Sequence, residues 1–138
     1  MKIAQDIYQR IVKAKIFIDE NSHQPINLAI LSRKACLSRF HFHRLFTQIY
    51  KKTPHQYLVR RRMDHAGQLL TRESITVTEV CNAVGFESIS SFSGLFKKHS
   101  GIGPRKFRSD AQSRLEKSKH SPGSFIPSCF GFDHELKG

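Results

Sequence analysis

The sequence predicts an all-α fold. Three observations carry that prediction. Apolar residues recur at spacings of three and four along most of the chain, no alternating strand pattern runs longer than a few residues, and the chain shifted by 50 residues matches itself.

The elements follow in order. Residues 5–19 place Ile7, Ile11, Ala14 and Ile18 on one helical face, and the polar stretch Asn21–Pro25 ends that helix. Residues 27–35 and 38–50 predict two more helices, the second capped by Ser38. Thr53-Pro54 punctuates the chain, with Pro54 suited to the first turn of a helix. Over 55–72 the apolar side is Tyr57, Leu58, Met63, Ala66, Leu69 and Leu70, and Arg60, Arg61 and Arg62 sit within the segment. Residues 77–84 and 89–99 form another short-then-longer pair with Gly85 between them. Gly101 and Gly103-Pro104 break the pattern, and a last basic turn spans Arg105–Arg108. Beyond it Ser, Pro and Gly dominate and no helical stripe is sustained, so 109–138 is expected to be a mobile tail, with Phe125-Ile126 and Phe130 to Phe132 apolar enough to dock locally.

The 50-residue repeat organises these elements. Ser38 falls on Ser88, Phe42 on Phe92, Leu45 on Leu95, Phe46 on Phe96, Pro54 on Pro104, Tyr57 on Phe107, and Ala35-Cys36 on Gly85-Phe86. Each unit is a short helix, a turn, a longer helix, then a proline followed by an aromatic. Two copies fall short of the three or more that a solenoid needs. Each copy reads as a helix-turn-helix, with first helices Asn27–Ala35 and Val77–Val84 and turns at Cys36-Leu37 and Gly85–Glu87. The expected architecture is therefore two helix-turn-helix subdomains, homeodomain-like repeats over 5–53 and 74–108, joined by a linker helix over 54–73, with an irregular C-terminal tail. An ordinary helical hairpin in a bundle is the competing reading.

Charge favours a polyanion partner. The chain holds 23 Lys+Arg against 11 Asp+Glu, a formal charge of +12, and residues 1–108 hold 19 of the basic and 7 of the acidic residues. No run of about 18 apolar residues occurs, so no transmembrane helix is expected. The start MKIAQDIYQR lacks the apolar core of a signal peptide. Cys36, Cys81 and Cys129 are odd in number and far apart, which opposes a disulfide scaffold and fits a reducing cytoplasm. Catalysis is disfavoured as well. His41 and His43 point apart on a helix, and neither HExxH nor CxxC occurs, so no enzyme activity, metal or cofactor is expected, and Cys36 and Cys81 read as core thiols.

The run Val80-Cys81 to Val84-Gly85-Phe86-Glu87-Ser88, then Phe92-Ser93-Gly94-Leu95-Phe96-Lys97-Lys98, then Gly101-Ile102-Gly103-Pro104 and Phe107-Arg108, resembles the signature of the AraC/XylS family of bacterial transcription regulators. In that signature a Gly-Phe pair leads to an F-S-R-x-F-K-K helix and a G-x-x-P-x-x-[YF]-R end. Ser38 and the run Phe42–Phe46 extend the resemblance to the first unit, so that it covers about residues 5–108. It implies two motifs joined by a linker helix and reading one face of double-stranded promoter DNA, in a bacterial cytoplasm and associated with the nucleoid; the linker length suits binding as a monomer. No ligand-sensing segment is present in these residues, and Met1 favours a short regulator controlled by abundance over a piece of something longer. Activation would call for RNA polymerase as a further partner, and no residue identifies that surface.

The two longer helices differ in what they offer. With Phe42, Leu45, Phe46 and Ile49 buried, the opposite face of the first holds Phe40, Arg44, Thr47 and Lys51, flanked by His43 and Gln48, with Arg39 at its N-terminal edge. Arg44 can fork onto guanine, Phe40 can meet a thymine methyl, and His43 and Gln48 can donate or accept. Solvated charge for Arg44 and Lys51, and packing beside the turn for Phe40, are the plain alternatives. The second helix buries Phe92, Leu95, Phe96 and His99 and presents Ser90, Ser93, Gly94 and Lys97, with Ile89 at the edge. Gly94 stands where the signature has Arg, so this helix is expected to position more than to read. The base-reading set is Arg39, Phe40, His43, Arg44, Thr47, Gln48, Ile89, Ser90 and Ser93; the phosphate set is Ser38, Lys51, Arg60, Arg61, Ser88, Lys97 and Lys98. About 17 residues of linker helix at 1.5 Å each span about 26 Å, which approaches the ~34 Å of one DNA turn. A non-specific nucleic-acid-binding or adaptor module is the alternative, although the arginine-rich, glycine-rich and aromatic-platform patterns of single-strand binders are missing.

Overall fold

A computed structural model describes residues 3–72 and 74–120. Among them there are seven helices and no strand: α1 Gln5–Asn21, α2 Leu28–Lys34, α3 Arg39–Tyr50, α4 Pro54–Arg72, α5 Val77–Ala83, α6 Ile89–Ser100 and α7 Pro104–His120. The chain divides into two compact units, Met1–Arg62 and Met63–Gly138, and the boundary falls inside α4. The expected linker helix therefore exists, but it is not a separate spacer. Its first half belongs to one unit and its second half to the other.

The helix boundaries have local causes. Asn27, Ser38, Thr76 and Ser88 each sit in extended backbone and accept a hydrogen bond from the amide three residues on, at Ile30, His41, Glu79 and Ser91. Thr53 and Gln56 form a reciprocal capping box, the Gln56 amide donating to Thr53 Oγ1 at 3.1 Å and the Thr53 amide to Gln56 Oε1 at 2.9 Å. Pro54 occupies the first helical position, where its missing N–H costs nothing.

In the first unit α1, α2, α3 and the start of α4 enclose Ile11, Ala14, Ile18, Leu31, Ala35, Phe42, Leu45, Phe46, Tyr57 and Leu58. Phe46 packs edge-on against Tyr57, with centroids 5.7 Å apart and planes at 76°. The Tyr57 hydroxyl donates to Asp19 Oδ1 at 2.6 Å, Arg61 Nε lies 3.1 Å from the same oxygen, and Lys15 Nζ lies 2.9 Å from Oδ2, so Asp19 ties α4 to α1. Burial, then the bond to Asp19, pushes the Tyr57 phenol well above its usual range and keeps it a neutral donor.

The second unit repeats the plan. Met63, Ala66 and Leu70 of α4 are buried as Ile11, Ala14 and Ile18 of α1 are, each 52 positions on. Val80, Cys81 and Val84 are buried as Leu31, Ser32 and Ala35 are. Phe96 meets Phe107 edge-on at 5.1 Å and 84°. His99 Nε2 lies 3.5 Å from Asp64 Oδ1, joining α6 to α4.

The repeat is not rigidly offset by 50. The longer helices α3 and α6 are 50 apart, whereas α2 and α5 are 49 apart. Both short helices end in the same paired bonds. Leu37 N donates to Ser32 O and Cys36 N to Arg33 O; Phe86 N donates to Cys81 O and Gly85 N to Asn82 O. Cys36 therefore matches Gly85, and both have positive φ, 56° and 101°. The pairing of Ala35-Cys36 with Gly85-Phe86 is corrected accordingly, and the extra residue of the second turn is Glu87. The expected burial of Cys36 is corrected too: Cys36 is exposed while Cys81 is buried. Cys129 lies outside the described residues.

The C-terminal boundary also moves. The last basic turn is the start of a helix, α7, that continues to His120 and buries Phe107 and Ala111 against the second unit. The stripe that carries it is short, Phe107, Ala111 and Leu115 at spacings of four with the last only half-buried, among otherwise polar residues. The remainder of the expected tail, 121–138, lies outside the described residues.

Left-handed backbone is costly for a residue with a Cβ and is the usual place of glycine at a helix end. Cys36→Gly, which copies Gly85, should stabilise the first unit by about 0.5–1 kcal/mol after the extra chain entropy of glycine is counted. Urea unfolding reads this, and an unchanged or lower midpoint would contradict it.

Candidate nucleic-acid interface

The interface is built by what α3 buries. Phe42, Leu45 and Phe46 point into the core, and at 100° per residue the opposite side faces solvent. Arg39, Phe40, His41, His43 and Arg44 are exposed there, and Thr47 and Gln48 are half-buried. Phe40 is 77% exposed, so it does not pack beside the turn. Ile49 is half-buried against the core. An open groove of about 470 Å³ is lined by Leu28, Arg39, Phe40, His43, Arg44 and Thr47. It sets a forked cation, an imidazole and an aromatic ring around one surface. Thr47 Oγ1 donates to His43 O at 2.7 Å, which uses its proton and keeps its oxygen available only as an acceptor. Leu28, at the start of α2, is missing from the expected set. It is half-buried against the core of the first unit and also lines the groove beside α3.

On α6, Phe92 and Phe96 are buried, and Leu95 and His99 are half-buried rather than fully so. Ser88, Ser90, Gly94, Lys97 and Lys98 are exposed, Ser93 is half-buried and Ile89 is 40% exposed. This outward face carries hydroxyls and two ammonium groups, with no long planar donor.

The phosphate set divides. Ser38 and Ser88 use their hydroxyl oxygens as helix caps, at 3.1 and 3.3 Å from the capped amides, and their protons remain for donation. Lys97 and Lys98 are exposed on the last turns of α6. Lys51 is exposed too, but lies past the end of α3 in left-handed backbone, at the opposite end of the helix from Arg39. Arg60 and Arg61 are corrected. Arg60 is only 8% exposed, and Arg61 is bound to Asp19. Their neighbour Arg62 donates from Nε to Ser22 O at 2.6 Å and from Nη2 to Gln24 O at 2.8 Å, and burial lowers its pKa. All three arginines hold the fold. Among the described residues no group of three or more His, Cys, Asp or Glu could hold a metal ion, and no helix is long and apolar enough to cross a membrane.

A helix-turn-helix occurring twice, each copy with its longer helix turned outward, defines the class: a double helix-turn-helix protein. A family model described as "Helix-turn-helix domain" matches residues 31–110. The chain belongs to this family, in its AraC type, a family of transcriptional regulators and not of enzymes. It is 35% identical over 92 residues to the probable transcriptional regulator LumQ of Photobacterium leiognathi, covering 67% of this chain and 37% of that protein. It is 26% identical over 101 residues to the HTH-type transcriptional regulator ArgR of Pseudomonas aeruginosa, covering 73% and 31%. The chain thus spans about a third of the length of the curated relatives it matches. Among solved structures it superposes on the DNA-binding domain of AdpA, a global transcriptional factor, in complex with a target DNA. The TM-score is 0.73 at 27% identity, covering 76% of this chain and 95% of that one. It also superposes on an AraC-type regulator from Chromobacterium violaceum, with TM-score 0.70 at 27% identity, covering 75% and 93%.

Because Arg62 is spent on two backbone carbonyls, Arg62→Ala should lower stability by about 2 kcal/mol. It should leave the salt dependence of duplex binding unchanged. A flattened salt slope with unchanged stability would return the arginine run to the phosphate set.

Proposed function

We propose that this chain is a sequence-specific double-stranded DNA-binding regulator of transcription that places α3 and α6 in successive major grooves on one face of the duplex. The observation that carries the reading is the groove on α3, where Arg39, Phe40, His43 and Arg44 converge on a surface that the protein itself leaves open. A guanidinium forks onto guanine O6 and N7, and an exposed ring meets a thymine methyl. The net charge of +12 supplies sequence-independent attraction to phosphate. The names of the relatives as transcriptional regulators, and the AdpA domain on its target DNA, support the same reading.

The duplicated motif supplies two recognition helices in one chain, which supports binding as a monomer. The 19 residues of α4 amount to about 28 Å of helix, of the order of the ~34 Å turn of DNA. Lys97 and Lys98 hold phosphates, and Ser38 and Ser88 donate to them from the helix starts. RNA polymerase is the proposed second partner where the outcome is activation.

Selection of bound sites from a random duplex pool, followed by competition at fixed salt, tests the reading. A recovered site preferred over random DNA by about 10³ or more supports it, and equal binding to all duplexes leaves a non-specific module instead. Arg44→Ala should relax preference at one base position, by about 1–3 kcal/mol of discrimination, and an unchanged base profile removes Arg44 from the readers. Lys97→Ala should weaken binding to all sequences alike and flatten the slope of log affinity against log salt by about 0.9. A loss confined to one sequence makes Lys97 a base reader.

A further inference from the structure

The two recognition helices are copies, so they can be compared position by position at their common offset of 50. Inward positions agree: Phe42 with Phe92, and Phe46 with Phe96, all fully buried. Outward positions do not. Arg39 meets Ile89, Phe40 meets Ser90, His43 meets Ser93 and Arg44 meets Gly94. At each of these positions the α3 side chain that can fork, stack or switch between donor and acceptor is replaced on α6 by one with less reach or fewer donors.

Gly94 is the informative member. It is exposed in the middle of a 12-residue helix, where glycine costs about 0.5–1 kcal/mol relative to alanine. Two reasons could oblige a protein to keep glycine there, and neither holds. Its φ is not in the left-handed region, and a Cβ built on it would have no atom within 4 Å. Nothing in the fold asks for the missing side chain, so the vacancy acts on the outward face alone.

We infer that Gly94 is the residue that makes the second recognition helix tolerant of base sequence, so that the operator carries its base information in one half-site. This rests on the proposed function and specifies the kind of site it takes. The α3 half-site is read through Arg39, Phe40, His43 and Arg44. The α6 half-site is held through the backbone by Ser88, Lys97 and Lys98, with at most short-range discrimination by Ile89, Ser90 and Ser93. The vacancy is also open to repair, because a Cβ at 94 would meet no atom within 4 Å and position 94 matches Arg44 at the offset of 50.

The test uses the full chain and the site recovered from the random pool. Each base pair of both half-sites is replaced in turn, and binding is measured for the wild type, Gly94→Ala and Gly94→Arg. The wild type should lose roughly tenfold or more at positions under α3 and less than about threefold anywhere under α6. Gly94→Ala should bind as the wild type does. Gly94→Arg should gain a preference of roughly tenfold for guanine at one position of the α6 half-site, with the α3 half-site unchanged. Two half-sites of equal information in the wild type overturn the inference. So does a Gly94→Arg variant that tightens on every sequence equally, which would place residue 94 at phosphate. A Gly94→Ala variant that loses protection of the second half-site also overturns it, since DNA would then fill the space at 94. A pool that yields no preferred duplex removes the parent reading, whereas a preferred duplex with two equally informative halves removes this inference alone.

Discussion

The edge-on packing of Phe46 on Tyr57, and of Phe96 on Phe107, is the constraint from which the rest of each unit follows. Each recognition helix is held at two inward rings one turn apart, and the aromatic that closes on them comes from the helix after it. Losing a buried phenylalanine costs about 3–5 kcal/mol. A helix cap contributes about 1 kcal/mol, and an exposed ion pair such as Asp6 with Arg10 contributes 0–1 kcal/mol. The rings therefore decide the rotation of α3 and α6 about their own axes. Once that rotation is set, Arg39, Phe40, His43 and Arg44 have no direction left but outward. The functional surface is a consequence of the core rather than an addition to it.

This ordering explains what was legible in the sequence. The helices, the cap at Ser38 and the outward faces of α3 and α6 follow from residues within one or two turns, such as Ser38 with His41 and Phe42 with Phe46. Two of the departures need a partner distant in sequence. Arg60, Arg61 and Arg62 look like a basic run for phosphate until Asp19 and the carbonyls of Ser22 and Gln24, about 40 residues away, take two of them and the core takes the third. Leu28 of α2 lines the interface groove beside residues of α3. The slip in the repeat is different in kind. It was hidden because the strongest matches lie in α3 and α6, at offset 50, and they drew the weaker turn into the same register. The positive φ shared by Cys36 and Gly85 marks the true correspondence.

The formal charge has to be read in the same way. A charge of +12 counts every arginine as if it faced outward. Arg62 is half-buried on two carbonyls, Arg60 is buried, and Arg61 shares Asp19 with Lys15. On or beside α3 and α6 the exposed cations are Arg39, Arg44 and Lys51 in one unit and Lys97 and Lys98 in the other. On the proposed function, non-specific attraction and base reading would therefore draw on the same surfaces.

Duplication left the interior nearly fixed and the exterior free, and one interior departure shows how strict the first condition is. Asp64 and His99 stand at the positions that Val12 and Ile49 hold in the first unit, by the offsets of 52 and 50 that align the surrounding helices. Replacing a pair of apolar side chains by a carboxylate and an imidazole would leave two polar groups poorly solvated, at a cost of roughly 1–3 kcal/mol for each one unsatisfied. The two changes occur together, with Asp64 Oδ1 3.5 Å from His99 Nε2 and side chains only 10% and 13% exposed. A carboxylate and an imidazole thus face one another where the first unit has two apolar side chains. On the outward face no such pairing is required, since water satisfies whatever stands there. Arg44 and Gly94 therefore differ at matching positions with no compensating difference required in the protein.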